Sequence, residues 1–267
     1  MASPNTPWSL TSHLLATSGD RFKRATQSNF LRAAAAGTLP KSTISHWLAN
    51  DRLYMQGYIR LAGELLRTLQ LPARPTPSRE AGSIEVRLLD WLVDALVNIR
   101  REERFFMDVA EQYGLNVDLS SENGVVLEEK KSEGLRRFEK LFASLTTGSN
   151  PGSILPWLEG AVVFWATEKV YFEAWSWAKK QAAVTSLFSY DAEGDDDGGA
   201  MRKEFIPNWT NDEFIGFVDK LGKILDEGVR EVVQGDEDMQ KEVVEKVEKK
   251  WIELLEAEEA FWPTVQN

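Results

Sequence analysis

Four acidic side chains stand at positions where helical periodicity asks for hydrophobic core. Along Ile44, Trp47, Leu48, Asp51, Tyr54, Met55, Tyr58 and Leu61, steps of three and four trace the inward face of one helix, with Asp51 in its middle. Leu88, Leu92, Ala95, Ile99, Glu102, Phe105, Phe106 and Val109 trace a second. Ala161, Phe164, Glu168, Tyr171 and Trp175 trace a third, and Val244, Val247, Trp251, Leu254, Leu255, Glu258, Phe261 and Trp262 a fourth. A carboxylate buried alone costs several kcal/mol unless it is paired, hydrogen-bonded or protonated. One such residue has a simple explanation in a rotated helix, whereas four on four helices predict a shared polar pocket inside a bundle. Two of the acids, Asp51 and Glu168, are followed one turn later by a tyrosine, Tyr54 and Tyr171. The chemistry open to such a set is proton transfer, because carboxyl groups in unequal surroundings acquire separated pKa values and divide the work of acid and base.

The elements that must position these residues read as a run of helices. Residues 9–35 form an opening helix ended by Gly37, and Pro40 with Ser42 or Thr43 starts a second that carries Asp51 to about Leu69. Pro72, Pro75 and Pro77 mark a connection to a third helix over about 83–113. Residues 115–124 are turn-like, a further helix spans about 126–145, and 146–151 is a loop. The most aromatic helix follows, over 154–183. Residues 190–200, rich in Asp and Gly, read as a solvated, mobile loop within an acidic insertion at about 188–203. Thr210-Asn-Asp-Glu213 is a capping box, with Trp209 and Phe214 as its hydrophobic staple, opening a helix to about Gly228. A last helix covers about 237–261, and its Lys and Glu run from Lys241 to Lys250 is a solvated face with i,i+4 pairs. No strand signal of useful length is present, so residues 1–267 are expected to form one all-α, multi-helix bundle.

Composition narrows the function. Cysteine is absent, which excludes disulfides, thiolate metal sites and thiol nucleophiles within this sequence. Only His13 and His46 are present, and neither is placed for the Glu-x-x-His pairs of a di-iron bundle, so neither metal nor cofactor is expected. A formal charge of −11 opposes partnership with nucleic acid or an anionic membrane. No apolar run is long enough to span a bilayer, and residues 1–20 lack the features of a targeting signal, which makes the cytoplasm the expected location. The acidic insertion does not read as a calcium loop, since Asp196 occupies the glycine position and Arg202 the bidentate one.

These motifs together resemble the TenA family, the thiaminase II-like proteins of thiamin metabolism. The resemblance runs through Gly37-Thr-Leu-Pro40, His46-Trp-Leu-Ala-Asn-Asp-Arg-Leu-Tyr54, Phe164-Trp-Ala-Thr-Glu-Lys-Val-Tyr171, Asn208-Trp-Thr-Asn-Asp-Glu-Phe214 and Glu256-Ala-Glu-Glu-Ala-Phe-Trp262. It implies the heme-oxygenase-like helical fold and a homo-oligomer, dimeric or tetrameric. Where the thiaminase-like branch carries a proline-cysteine pair, this chain has Ala166-Thr167, and it is similar to the cysteine-less, glutamate-bearing branch. That branch implies hydrolysis of aminopyrimidine and formylaminopyrimidine to hydroxymethylpyrimidine. The resemblance implies Glu168 and Glu258 as catalytic acids, Asp51 as the acid that holds the aminopyrimidine ring, and Tyr54, Glu102, Tyr171 and Trp209 as further substrate-binding residues. It departs from the family at Leu135, where many relatives have a pocket tyrosine. A pyrimidine-binding or regulatory protein without turnover is the alternative that the same motifs allow.

Overall fold

The computed structural model describes residues 8–73, 82–146, 155–186 and 192–265. Ten α-helices run through them: α1 (Leu10–Thr17), α2 (Asp20–Thr26), α3 (Asn29–Ala36), α4 (Lys41–Thr68), α5 (Ile84–Tyr113), α6 (Glu133–Thr146), α7 (Leu158–Ser186), α8 (Ile206–Asn208), α9 (Asp212–Val233) and α10 (Glu237–Phe261). No strand occurs among the described residues. The four acids fall on the four longest helices, one each on α4, α5, α7 and α10.

Local chemistry fixes where these helices begin and stop. Side-chain oxygens of Ser9, Ser28, Ser83, Asn211 and Asp236 accept hydrogen bonds from the otherwise unpaired N–H groups of the first turns of α1, α3, α5, α9 and α10. Gly37 closes α3 at φ +70°, a left-handed conformation that costs a glycine nothing. The expected opening helix over 9–35 is three helices, broken by Gly19 at φ +52° and by the cap at Ser28. The capping box also differs by one residue. Asn211 is the N-cap, bonded by the Phe214 N–H, Glu213 reaches Arg101, and Trp209 is buried toward Glu102 instead of stapling α9. That helix continues past Gly228 to Val233, and the helix expected over 126–145 is a single 3₁₀ turn followed by α6.

The interior is aromatic. Trp47, Trp91, Trp157, Trp175 and Trp251 are fully buried, and Trp47, Trp175, Trp209, Trp262 and Phe30 form one cluster with ring centroids 4.7–6.1 Å apart where they meet. Burying a large apolar side chain is worth roughly 1.5–3 kcal/mol, so this core readily carries the cost of a few polar groups set among it. Trp175, on the inward stripe of its helix, is fully buried, while Trp177 is half-buried under the Arg32 guanidinium. Helix α6 lies against α10 with its backbone almost touching at Gly134, where any Cβ would meet the Phe261 backbone at 2.3 Å. That close approach sets Phe138 and Phe261 side by side, and both reach the acids described below.

The acidic insertion is folded, contrary to expectation. Among its described residues Asp197 is almost fully buried and accepts hydrogen bonds from the N–H groups of Gly199 and Met201, capping a π-helical turn over Ala200–Phe205. Asp195 is held by Arg202, and the Asp196 N–H donates to the Gly37 carbonyl. Residues 187–191 and the prolines at 75 and 77, together with most of the loop expected over 146–151, lie outside the described residues. The Lys and Glu face of α10 is solvated as expected at the Lys241–Glu245 and Lys249–Glu253 pairs, whereas Lys250 is largely covered and donates to the Ser144 hydroxyl on α6.

Candidate active site

Helical spacing places each acid on the side of its helix that meets the other three. Asp51, Glu102, Glu168 and Glu258 all line one inner chamber of about 40 Å³, joined there by Tyr54, Tyr58, Thr167 and Tyr171. Asp51 and Glu258 are buried, and Glu102 and Glu168 are half-buried at the chamber's edge. The same edge, made by Tyr58, Ile99, Glu102 and Glu168, is shared with an outer pocket of about 360 Å³ between α5, α8 and α9. The two spaces form a narrow chamber behind a wider vestibule.

Each acid has a different partner. The Tyr58 hydroxyl donates to Glu168 Oε1 at 2.6 Å, and the Tyr171 hydroxyl donates to Asp51 Oδ2 at 3.3 Å. The Trp209 indole N–H donates to Glu102 Oε1. Glu258 Oε1 is buried without a hydrogen-bond partner among the described residues, and so are the hydroxyls of Tyr54 and Thr167. A buried polar atom left unpaired is rare in folded proteins and marks a place that a ligand or water completes.

No lysine, arginine or histidine lines the inner chamber, so burial decides the protonation states. It pushes Glu168 up to about 8, against the opposing hydrogen bond from Tyr58, and the nearby charge of Glu102 pushes in the same direction. Glu102 is raised by burial to about 7, restrained by the Trp209 N–H and by the Arg101 guanidinium. Asp51 is raised well above the usual range by burial and by Glu102, with Tyr171 opposing, and Glu258 by burial and then by Asp51. At neutral pH the pocket is therefore a set of largely protonated carboxyl groups, with Glu102 and Glu168 poised where a proton is easily gained or lost.

The structure brings together six of the seven residues singled out from sequence: Asp51, Tyr54, Glu102, Glu168, Tyr171 and Glu258. Trp209 lines the vestibule and reaches the chamber's residues through its hydrogen bond to Glu102 and its edge-on packing against Tyr171. Tyr58, Thr167, Phe138 and Phe261 complete the chamber and were not singled out. Tyr58 carried a usable signal, since it lies seven residues after Asp51 on the same stripe; Phe138 and Phe261 looked like ordinary core. Leu135, the departure from the family pattern, is fully buried away from the chamber. Thr167 lines the pocket, and its hydroxyl is buried there. Among the described residues no three His, Asp or Glu side chains are grouped to hold a metal ion, and no helix is long and apolar enough to cross a membrane.

No family model matches the chain. A curated relative, a "probable transcription factor" of Fusarium pseudograminearum, is 28% identical over 248 residues, which cover 83% of this chain and 45% of that protein. The chain thus spans somewhat less than half the length of that relative. Solved structures are similar over nearly the whole chain. A TenA homologue from Pyrococcus furiosus superposes with a TM-score of 0.61 at 20% identity, covering 93% of this chain and 98% of that one. A TenA homologue from P. horikoshii gives 0.66 at 15% identity over 96% and 97%. A TenA family transcription regulator from Silicibacter gives 0.64 at 15% over 94% of each. At these identities the likeness is one of fold, and the chain is built on the all-α fold of the TenA homologues.

Proposed function

We propose that this chain is a TenA-family hydrolase of the cysteine-less, glutamate-bearing branch, converting aminopyrimidine and its formyl derivative to hydroxymethylpyrimidine. The observation that carries the reading is the meeting of four carboxyl groups and three tyrosines in one chamber that holds no cation. Such a chamber suits a small ring rich in N–H donors and able to accept a proton.

In this reading Asp51, steadied by Tyr171, answers the 4-aminopyrimidine edge. A protonated carboxyl donates to a ring nitrogen while its carbonyl accepts from the exocyclic amine. The free Oε1 of Glu258 delivers a proton to the leaving nitrogen, and Glu168, held by Tyr58, takes a proton from water. The water oxygen bonds to the ring's exocyclic methylene carbon. The C–N bond breaks with its electron pair going to nitrogen, and the products are the alcohol and ammonia. Once Glu258 has protonated the neutral amine, the ammonium supplies the opposite charge that lowers neighbouring carboxyl pKa values and favours ionised Glu168. Glu102 fixes the charge at the edge, and Tyr54, braced edge-on by Phe138, packs against the ring.

Incubation with aminopyrimidine, formylaminopyrimidine and thiamin in parallel, read by mass spectrometry, tests this. Hydroxymethylpyrimidine is expected from the first two, with Glu258→Gln and Glu168→Gln each about 10²–10⁴-fold slower. Near-normal turnover by both variants would refute the catalytic assignment. A second reading, regulation without turnover, draws on the names of the Fusarium relative and the Silicibacter structure. Saturable pyrimidine binding with no product would favour it, and a charge of −11 then argues for action through a protein partner instead of direct contact with nucleic acid.

A further inference from the structure

The vestibule has no part in holding a pyrimidine ring, yet at about 360 Å³ it is as large as many complete ligand sites. It communicates with the inner chamber across Tyr58, Ile99, Glu102 and Glu168, so a substituent that reaches from the leaving nitrogen past these two glutamates enters it. Met55, Phe138 and Phe261 line other parts of the inner chamber. The inner chamber has only about 40 Å³, so a bulky group on the leaving nitrogen finds its room in the larger adjoining space past the two glutamates.

The lining says what such a group is. Asn98 on α5 and Asn208 on α8 are half-buried there, and their side-chain amides have no partner among the described residues. Each offers one N–H₂ donor and one carbonyl acceptor, the complement of an amide's C=O and N–H. Phe105, Phe214 and Phe217 supply apolar walls. Glu102, Glu168 and Glu213 stand against an anionic tail, and Arg101 at the mouth is already paired with Glu213.

We propose that the vestibule is a subsite for a neutral N-acyl substituent larger than formyl on the aminomethyl group of the substrate, with Asn98 and Asn208 as its specificity determinants. The inference rests on the hydrolase reading for turnover, though not for binding. Hydrolysis follows the same course. The water oxygen bonds to the methylene carbon, the C–N bond electrons go to nitrogen, that nitrogen takes the proton, and a primary carboxamide leaves from the vestibule.

The test compares free aminopyrimidine, its N-formyl derivative and its N-butyryl derivative on the full chain, its Asn98→Ala variant and its Asn208→Ala variant, each shown to be folded by its melting curve. The N-butyryl compound is expected to be cleaved with a kcat/KM at least equal to that of the free amine. Each alanine variant should lower kcat/KM about 10-fold for the N-butyryl compound, the scale of one lost hydrogen bond, and leave the free amine within about 2-fold. Cleavage of the free amine without the N-butyryl compound, or equal losses on both substrates, would overturn the proposal. If nothing is cleaved, calorimetric binding decides. Saturable N-butyryl binding weakened selectively by Asn208→Ala sustains the subsite while the hydrolase reading fails, and absence of that selectivity sinks the subsite as well.

Discussion

At the scale of single residues, the pocket works by giving chemically similar acids unequal neighbours. Glu168 receives a phenol hydrogen bond, Glu102 an indole one, Asp51 a longer phenol contact, and Glu258 Oε1 none. Tyr58 is the most informative position to change because its O–H stabilises the ionised form of Glu168 and opposes the rise that burial imposes. Tyr58→Phe keeps the ring and removes that donor. Under the proposed base role, the rising limb of the pH–rate profile, which follows Glu168 ionisation, should move upward by about one pH unit, since a hydrogen bond to a charged acceptor is worth roughly 1.5–3 kcal/mol and one pKa unit is about 1.4. At pH 7 the rate should fall about 10-fold. A profile that keeps its midpoint while losing only amplitude would assign the limb to another group.

At the scale of elements, the acids were legible because a 3.6-residue period leaves a polar intruder conspicuous in an apolar stripe. The folded acidic segment was not, because an Asp- and Gly-rich composition describes a solvated loop and a backbone-capping turn equally well. The difference lies in where one carboxylate points. Asp197 turns inward to Gly199 and Met201, while Asp196 faces solvent. The turn it caps runs on through Phe205, stacked on Trp209 at 5.1 Å, and so to Glu102. Likewise, nothing in the residues 9–35 marked Ser28 as a cap instead of a helix-interior serine, and Asn211 competed with Thr210 on equal chemical terms. Asp197→Ala leaves two buried N–H donors unpaired, at about 1–3 kcal/mol each, so urea unfolding should show a loss of about 2–6 kcal/mol. Asp196→Ala should stay within about 0.5 kcal/mol. Equal effects from the two would mean that the segment is solvated after all.

For the whole molecule, the formal charge of −11 counts every acid as ionised, whereas the bundle holds four in an environment that favours the proton. The folded state therefore binds protons that the unfolded chain releases, and stability becomes linked to pH. A carboxyl with a raised folded pKa contributes stability that is fully present below its unfolded value near 4.5. That contribution is lost as pH climbs through about 7 at Glu102 and about 8 at Glu168. Acids at the surface act in the opposite sense and at lower pH: Asp118 and Glu133 have lowered values, so their stabilisation fades only as pH falls through them. Gln is a shape-matched mimic of the protonated acid that cannot ionise, so a Glu102→Gln/Glu168→Gln variant isolates the interior contribution. Its melting temperature should rise relative to wild type as pH goes from 5 to 9, with most of the divergence between 6 and 8. A difference between the two proteins that stays constant across that range would mean that the chamber does not hold these protons, and would remove the electrostatic basis for acid and base work within it.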